Sequence, residues 1–137
     1  MDMQPTARQQ KLVKKARELA LDCFAPRAAD YDRDARFPFE DYADMRDAGF
    51  LALCIPEEYG GLGADLETYC LVSEQLAQGN ASTALTYNMH CLTMLMMGEM
   101  ADVHEMSDEK RARHGELRAV NFREVVEQGV YYGKPHS

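Results

Sequence analysis

A chain of 137 residues that is 46% hydrophobic can bury a core of its own, so one globular domain needs neither disulfides nor a structural metal to hold it. With 23 acidic against 15 basic side chains the formal charge is -8, which sets the surface as a whole against nucleic acid and anionic lipid. The basic clusters at Lys11, Lys14, Lys15 and Arg17, and at Lys110, Arg111 and Arg113, read as solvated helix faces.

In chain order, the start MDMQPTARQQK has no apolar signal core, and residues 1–6 are expected to be flexible. Leu12, Val13, Ala16, Leu19, Ala20, Cys23 and Phe24 form a helical stripe over residues 7–25, which Pro26 should end or kink. Residues 27–36 continue as a charged helix. Phe37-Pro38 opens a second helix, with Glu40, Asp41 and Asp44 at its positive end and Gly49 as a left-handed stop. The run FLALCI at 50–55 is too short for a helix and reads as an extended buried segment. After the glycine loop, Asp65 caps a helix over 66–78 that Gly79 stops, with Leu66, Tyr69, Val72 and Leu76 on one face. Ser82 caps the next helix, over 83–100. From Gln75 to Gly98 no residue carries a formal charge, and five of the nine methionines lie in the helix 83–100. Leu85, Met89, Leu92 and Met96 mark one face, and the helix reads as buried on most sides. Its many polar groups argue against a membrane span. Ser107 starts a last helix, with Ala119, Phe122, Val125 and Val126 on one face and Gly129 as its stop. Residues 129–137 read as an extended tail. The fold class is all-α, a bundle of about five helices.

The candidate chemistry is sparse. The stretch IPEEYGGLGAD lacks the Lys-Ser or Lys-Thr of a P-loop and the GxGxxG of a dinucleotide fingerprint, and Glu57, Glu58 and Asp65 would repel a phosphate. Its glycines read as a tight connection. His90 and Cys91 are neighbours on a helix, about 100° apart, and read as a satisfied core histidine and a buried thiol rather than base and nucleophile. No metal site is expected at His104 or His114. Cys23, Cys54, Cys70 and Cys91 form no CxxC pair and read as buried reduced thiols in a cytoplasmic compartment. The uncharged methionine-rich helix is the best ligand wall, since Tyr87, Asn88 and His90 add a few polar groups to adaptable apolar ones.

The order of CFAPRAADYDRDARFP, FEDYADMRDAGFLALCIPEEYGGLG and LETYCLVSEQLAQGNASTALTYNMH resembles the N-terminal helical domain of the acyl-CoA dehydrogenase family. "IPEEYGGLG" after a helix ending in "DAGF" is the most specific piece, and the similarity runs from about Leu12 to Met100. The resemblance implies a flavoprotein with a further β-domain and C-terminal helical bundle, which holds FAD between those two parts. It implies oxidation of an acyl-CoA to the 2,3-enoyl-CoA in fatty acid metabolism, homo-oligomeric assembly, and an electron-transferring flavoprotein as acceptor. It places Tyr87, Asn88, Cys91, Met94 and Leu95 along the acyl pocket. The catalytic carboxylate belongs to the C-terminal bundle, so no catalytic residue is named here, and the isolated chain is expected to be inactive and not to hold FAD alone. Where members show a flavin-contacting stretch like ALTEP, this chain reads FREVVEQGVYYGKPHS. That departure also fits a flavin-dependent monooxygenase or oxidase of the same fold acting on another small molecule. A helical interaction domain without chemistry is the remaining alternative.

Overall fold

The computed structural model describes residues 4–132; residues 1–3 and 133–137, parts of the expected flexible start and extended tail, lie outside the described residues. All regular structure among the described residues is helical. Helix α1 (Ala7–Leu19) begins with a reciprocal cap. The Thr6 hydroxyl accepts from the Gln9 amide at 3.1 Å, and the Gln9 side chain accepts from the Thr6 amide at 2.8 Å. The helix then widens into a π turn over Ala20–Phe24 and resumes as α2 (Ala25–Asp34). Pro26 therefore neither ends it nor stands alone as the irregularity. The π turn, in which the Ala25 amide reaches the Ala20 carbonyl, absorbs the mismatch one residue before the proline.

The second helix, α3 (Phe39–Asp47), ends at Gly49 with φ of 82°, as its sequence predicts. FLALCI is not extended. It turns as a 3-10 helix at Phe50–Ala52, and the Leu53 and Ile55 amides donate to the Phe50 and Ala52 carbonyls. These residues are buried with no strand beside them, so the backbone satisfies itself through short local turns.

Helix α4 (Leu66–Gly79) is capped by Asp65, which accepts from the Thr68 amide at 2.9 Å. Gly79 is not a left-handed stop: a Cβ there would lie 2.2 Å from the Ala20 carbonyl oxygen, so the glycine permits a close crossing of α4 over the π turn. The next helix, α5 (Ala81–Val103), is capped by Asn80 rather than Ser82, because the Asn80 carboxamide oxygen accepts from both the Ser82 and Thr83 amides. Ser107 caps α6 (Asp108–Gln128), and Gly129, with φ of 68°, ends it.

Counting α1, the π turn and α2 as one rod, five helical rods enclose a single core. Phe24, Met45, Phe50, Leu53, Leu76, Tyr87, Met94 and Phe122 are all fully buried there. A buried carboxylate lies among them: Asp41, fully buried, accepts from the Thr83 hydroxyl at 2.7 Å and pairs with Arg27 at 2.9 Å, tying α2, α3 and α5 together. Arg27 also pairs with Asp44. Burial outweighs both partners and raises the Asp41 carboxyl above its ordinary pKa. Three sequence expectations fail on exposure. Cys70 and Leu66 face solvent, and so does the supposed buried face of α5 at Leu85, Met89, Leu92 and Met96.

Candidate functional site

Helix α5 has two unlike sides. Tyr87, His90, Cys91 and Met94 turn inward and are buried. The Tyr87 hydroxyl donates to the Phe50 carbonyl, and burial pushes its pKa well above the usual phenol range. Cys91 is likewise pushed well up, by burial first and by Cys54 next, so its thiol stays protonated and is no nucleophile. The ring nitrogens of His90 are both engaged by backbone, at Leu51 and Tyr132. His90 and Cys91 therefore make no catalytic pair.

Of the five residues expected along an acyl pocket, the structure gathers two at one cleft. Met94 and Leu95 line a mostly apolar groove of about 420 Å³, together with Gly98 of α5, Cys54 of FLALCI, and Pro56, Gly63 and Ala64 of the glycine loop. Glu57, Asp65 and Glu99 line it as well. Asn88 is half-buried on the α4 side, where it accepts from the Tyr69 hydroxyl. Tyr87 and Cys91 point into the core of the helical domain. The glycine loop as the opposite wall was not foreseen. Residues 55–65 carry no signal for it, because its position depends on hydrogen bonds back to FLALCI.

Those bonds also settle what the loop cannot do. The Gly60, Gly61, Leu62 and Gly63 amides donate to the carbonyls of Glu57, Pro56, Ala52 and Ile55, at 2.8 to 3.2 Å. The Ala64 amide donates to Leu53 at 2.8 Å. No amide of this run is left to cradle a pyrophosphate, and Glu57, Glu58 and Asp65 surround it. A Cβ on Gly61 would lie 2.0 Å from the Ile55 oxygen, so that glycine is required for close approach. The glycine loop therefore does not fit a dinucleotide phosphate site. Among the described residues no group of three or more His, Cys, Asp or Glu side chains could hold a metal ion, and no helix is long and apolar enough to cross a membrane.

Comparison with known proteins agrees with this helical frame. The family model for the acyl-CoA dehydrogenase N-terminal domain matches residues 6–113. A probable acyl-CoA dehydrogenase, fadE25, of Mycobacterium leprae is 49% identical over 69 residues, covering 50% of this chain and 18% of that protein. A cyclohex-1-ene-1-carbonyl-CoA dehydrogenase of Syntrophus aciditrophicus is 39% identical over 80 residues, 58% of this chain and 19% of that protein. A 3-sulfinopropanoyl-CoA desulfinase of Paraburkholderia xenovorans is 37% identical over 73 residues, 53% of this chain and 19% of that protein. The match spans about a fifth of the length of these curated relatives. The chain belongs to the acyl-CoA dehydrogenase family and carries that family's N-terminal helical domain.

Proposed function

We propose that this chain forms one wall of the acyl pocket in an FAD-dependent oxidoreductase that converts an acyl-CoA to its 2,3-enoyl-CoA. The observation that supports this reading is the groove between Met94, Leu95 and the glycine loop, whose lining is mostly apolar with three acidic residues. An acyl chain gains by burial against such walls, at roughly 0.8 kcal/mol per CH₂. The phosphates of CoA would meet Glu57, Asp65 and Glu99, so they belong elsewhere. The chain's own contribution is to bind and orient the apolar end of the substrate and to exclude water from it. The FAD, the catalytic carboxylate and the electron-transferring flavoprotein that accepts the electrons act outside this chain. The outward residues Leu85, Met89, Leu92 and Met96 would be covered in the assembled homo-oligomeric enzyme. Four unbridged cysteines support a reducing, cytoplasmic setting.

The test is made in the assembled, flavin-loaded enzyme. Leu95→Trp fills the groove from the α5 side. It is expected to lower kcat/KM for long acyl chains about tenfold more than for short ones. An equal loss at every chain length removes the pocket-wall role. Lack of flavin absorbance in the assembled protein removes the flavoenzyme reading itself. Anaerobic flavin reduction by an acyl-CoA marks the dehydrogenase. Turnover only with supplied reduced flavin and O₂ marks a monooxygenase or oxidase of the same fold.

A further inference from the structure

His90 is fully buried, yet both of its ring nitrogens meet backbone. Its Nε2 lies 2.7 Å from the Leu51 carbonyl oxygen, and its Nδ1 lies 3.1 Å from the Tyr132 amide nitrogen. One protonation pattern serves both contacts. A carbonyl only accepts, so Nε2 carries the proton and donates. An amide only donates, so Nδ1 must be bare and accept. The ring also stacks between Tyr87 and Tyr132, with each centroid 6.3 Å away. Beside it, Tyr131 lies 4.3 Å from the Tyr42 ring and 6.0 Å from that of Phe37. The chain leaving α6 is thus laid against α3 and α5, and among the described residues its backbone bond to α5 is to a titratable ring.

We propose that His90 is a proton-sensitive clasp that holds the segment Val130–Tyr132 on the helical domain and lets it go when Nδ1 takes a proton. An imidazolium carries N–H at both positions. Its Nδ1–H would face the Tyr132 N–H, donor against donor, while Nε2–H keeps its bond to Leu51. The strain falls on the exit segment and spares the core. Only the Leu51 carbonyl favours the charged form, and burial outweighs it. On α5 the neighbours Tyr87 and Cys91 are both held neutral by burial. The 3-10 turn presents only the Leu51 carbonyl. Tyr42 of α3, Tyr131 and Tyr132 are phenols raised by burial. Glu124 of α6 acts on Tyr132 rather than on the ring. Burial keeps His90 below the ordinary histidine value. The sign follows: the clasp is closed above about pH 6.5, and opens as pH falls through the lowered folded value.

The test uses the full chain labelled with ¹⁵N, following the His90 ring nitrogens and Tyr132 amide exchange from about pH 8 to about pH 5. Tyr132 protection is expected to vanish with the same midpoint as ring protonation, while the far-UV helical signal holds. His90→Asn places an oxygen near the Nδ1 position and should keep the protection without its pH dependence. His90→Gln reaches the Leu51 carbonyl instead and should speed Tyr132 exchange roughly fivefold. Ring titration with unchanged Tyr132 protection overturns the proposal, as does full protection in His90→Gln. Should the histidine variants not fold, Tyr132→Pro removes the amide outside the core. The His90 titration must then move toward the ordinary value, and an unmoved titration overturns the clasp.

Discussion

The two sides of α5 are both apolar in composition, and they meet opposite fates. The inward side carries Tyr87, His90, Cys91 and Met94, three of them with polar atoms, and all are buried. The outward side carries Leu85, Met89, Leu92 and Met96 with no polar group, and it is exposed, by 68% at Leu85 and 63% at Met96. Hydrophobicity alone would have turned the helix the other way. What holds it is a set of directed bonds from the inward side to one short segment: Tyr87 to the Phe50 carbonyl and His90 to the Leu51 carbonyl. The first adds a second donor to the Phe50 carbonyl, which also accepts from the Leu53 amide, and the second gives the Leu51 carbonyl a donor that FLALCI cannot supply within a strand. A buried carbonyl left bare costs about 1–3 kcal/mol. The outward side is then free to meet a partner surface.

The contrast can be tested residue by residue. Met94→Ala removes a fully buried side chain, and should lower the unfolding free energy of the isolated chain by about 3 kcal/mol in urea titration. A loss below about 1 kcal/mol would mean that the inward side is loosely packed. Tyr87→Phe keeps the ring and deletes the hydroxyl, leaving the Phe50 carbonyl with the Leu53 amide alone; about 1 kcal/mol should be lost. Its failure would move the hold on α5 from directed bonds to packing.

A pH series gives a control remote from α5. Arg36, with Tyr31, holds the Glu40 carboxyl at about 2, below its ordinary 4.5. The folded-state value is depressed, so its contribution to stability is full above about pH 4.5 and fades as pH falls toward 2. Glu40→Gln should flatten that acid limb of the urea midpoint and leave the neutral-pH behaviour of His90 untouched. The smallest expected change lies on the outward side. Leu85→Ser with Met96→Ser should alter the stability of the isolated chain by no more than about 0.5 kcal/mol. Sedimentation should show any self-association weakened by that pair, because the apolar seam is what a second surface would cover. A large stability loss would show that the seam already packs within this chain.

Much of the helical frame was legible residue by residue. Asp65, Ser107, Gly49 and Gly129 act as helix boundaries because caps and positive φ are local chemistry, decided by the residue itself. The acyl-CoA dehydrogenase resemblance was carried by a similarly local string, IPEEYGGLG. The misreadings share another cause. Gly79 looked like a stop and serves a crossing over Ala20, a contact made by residues distant in sequence. FLALCI looked extended because its burial was visible and its lack of a neighbouring strand was not. The α5 stripe at Leu85, Met89, Leu92 and Met96 looked internal because periodicity marks a face without saying which way it points.

The candidate site divides along the same line. Met94 and Leu95 are named by carrying the family resemblance onto the uncharged, methionine-rich helix. The groove they line exists only because the glycine loop folds back onto Ala52, Leu53 and Ile55 through its amides. Helix limits, chain punctuation and family were set by the amino-acid string, since each depends on neighbours in sequence. The facing of α5, the closed glycine loop and the two bonds on His90 came from packing, where polar groups far apart in the chain must find one another before water is excluded.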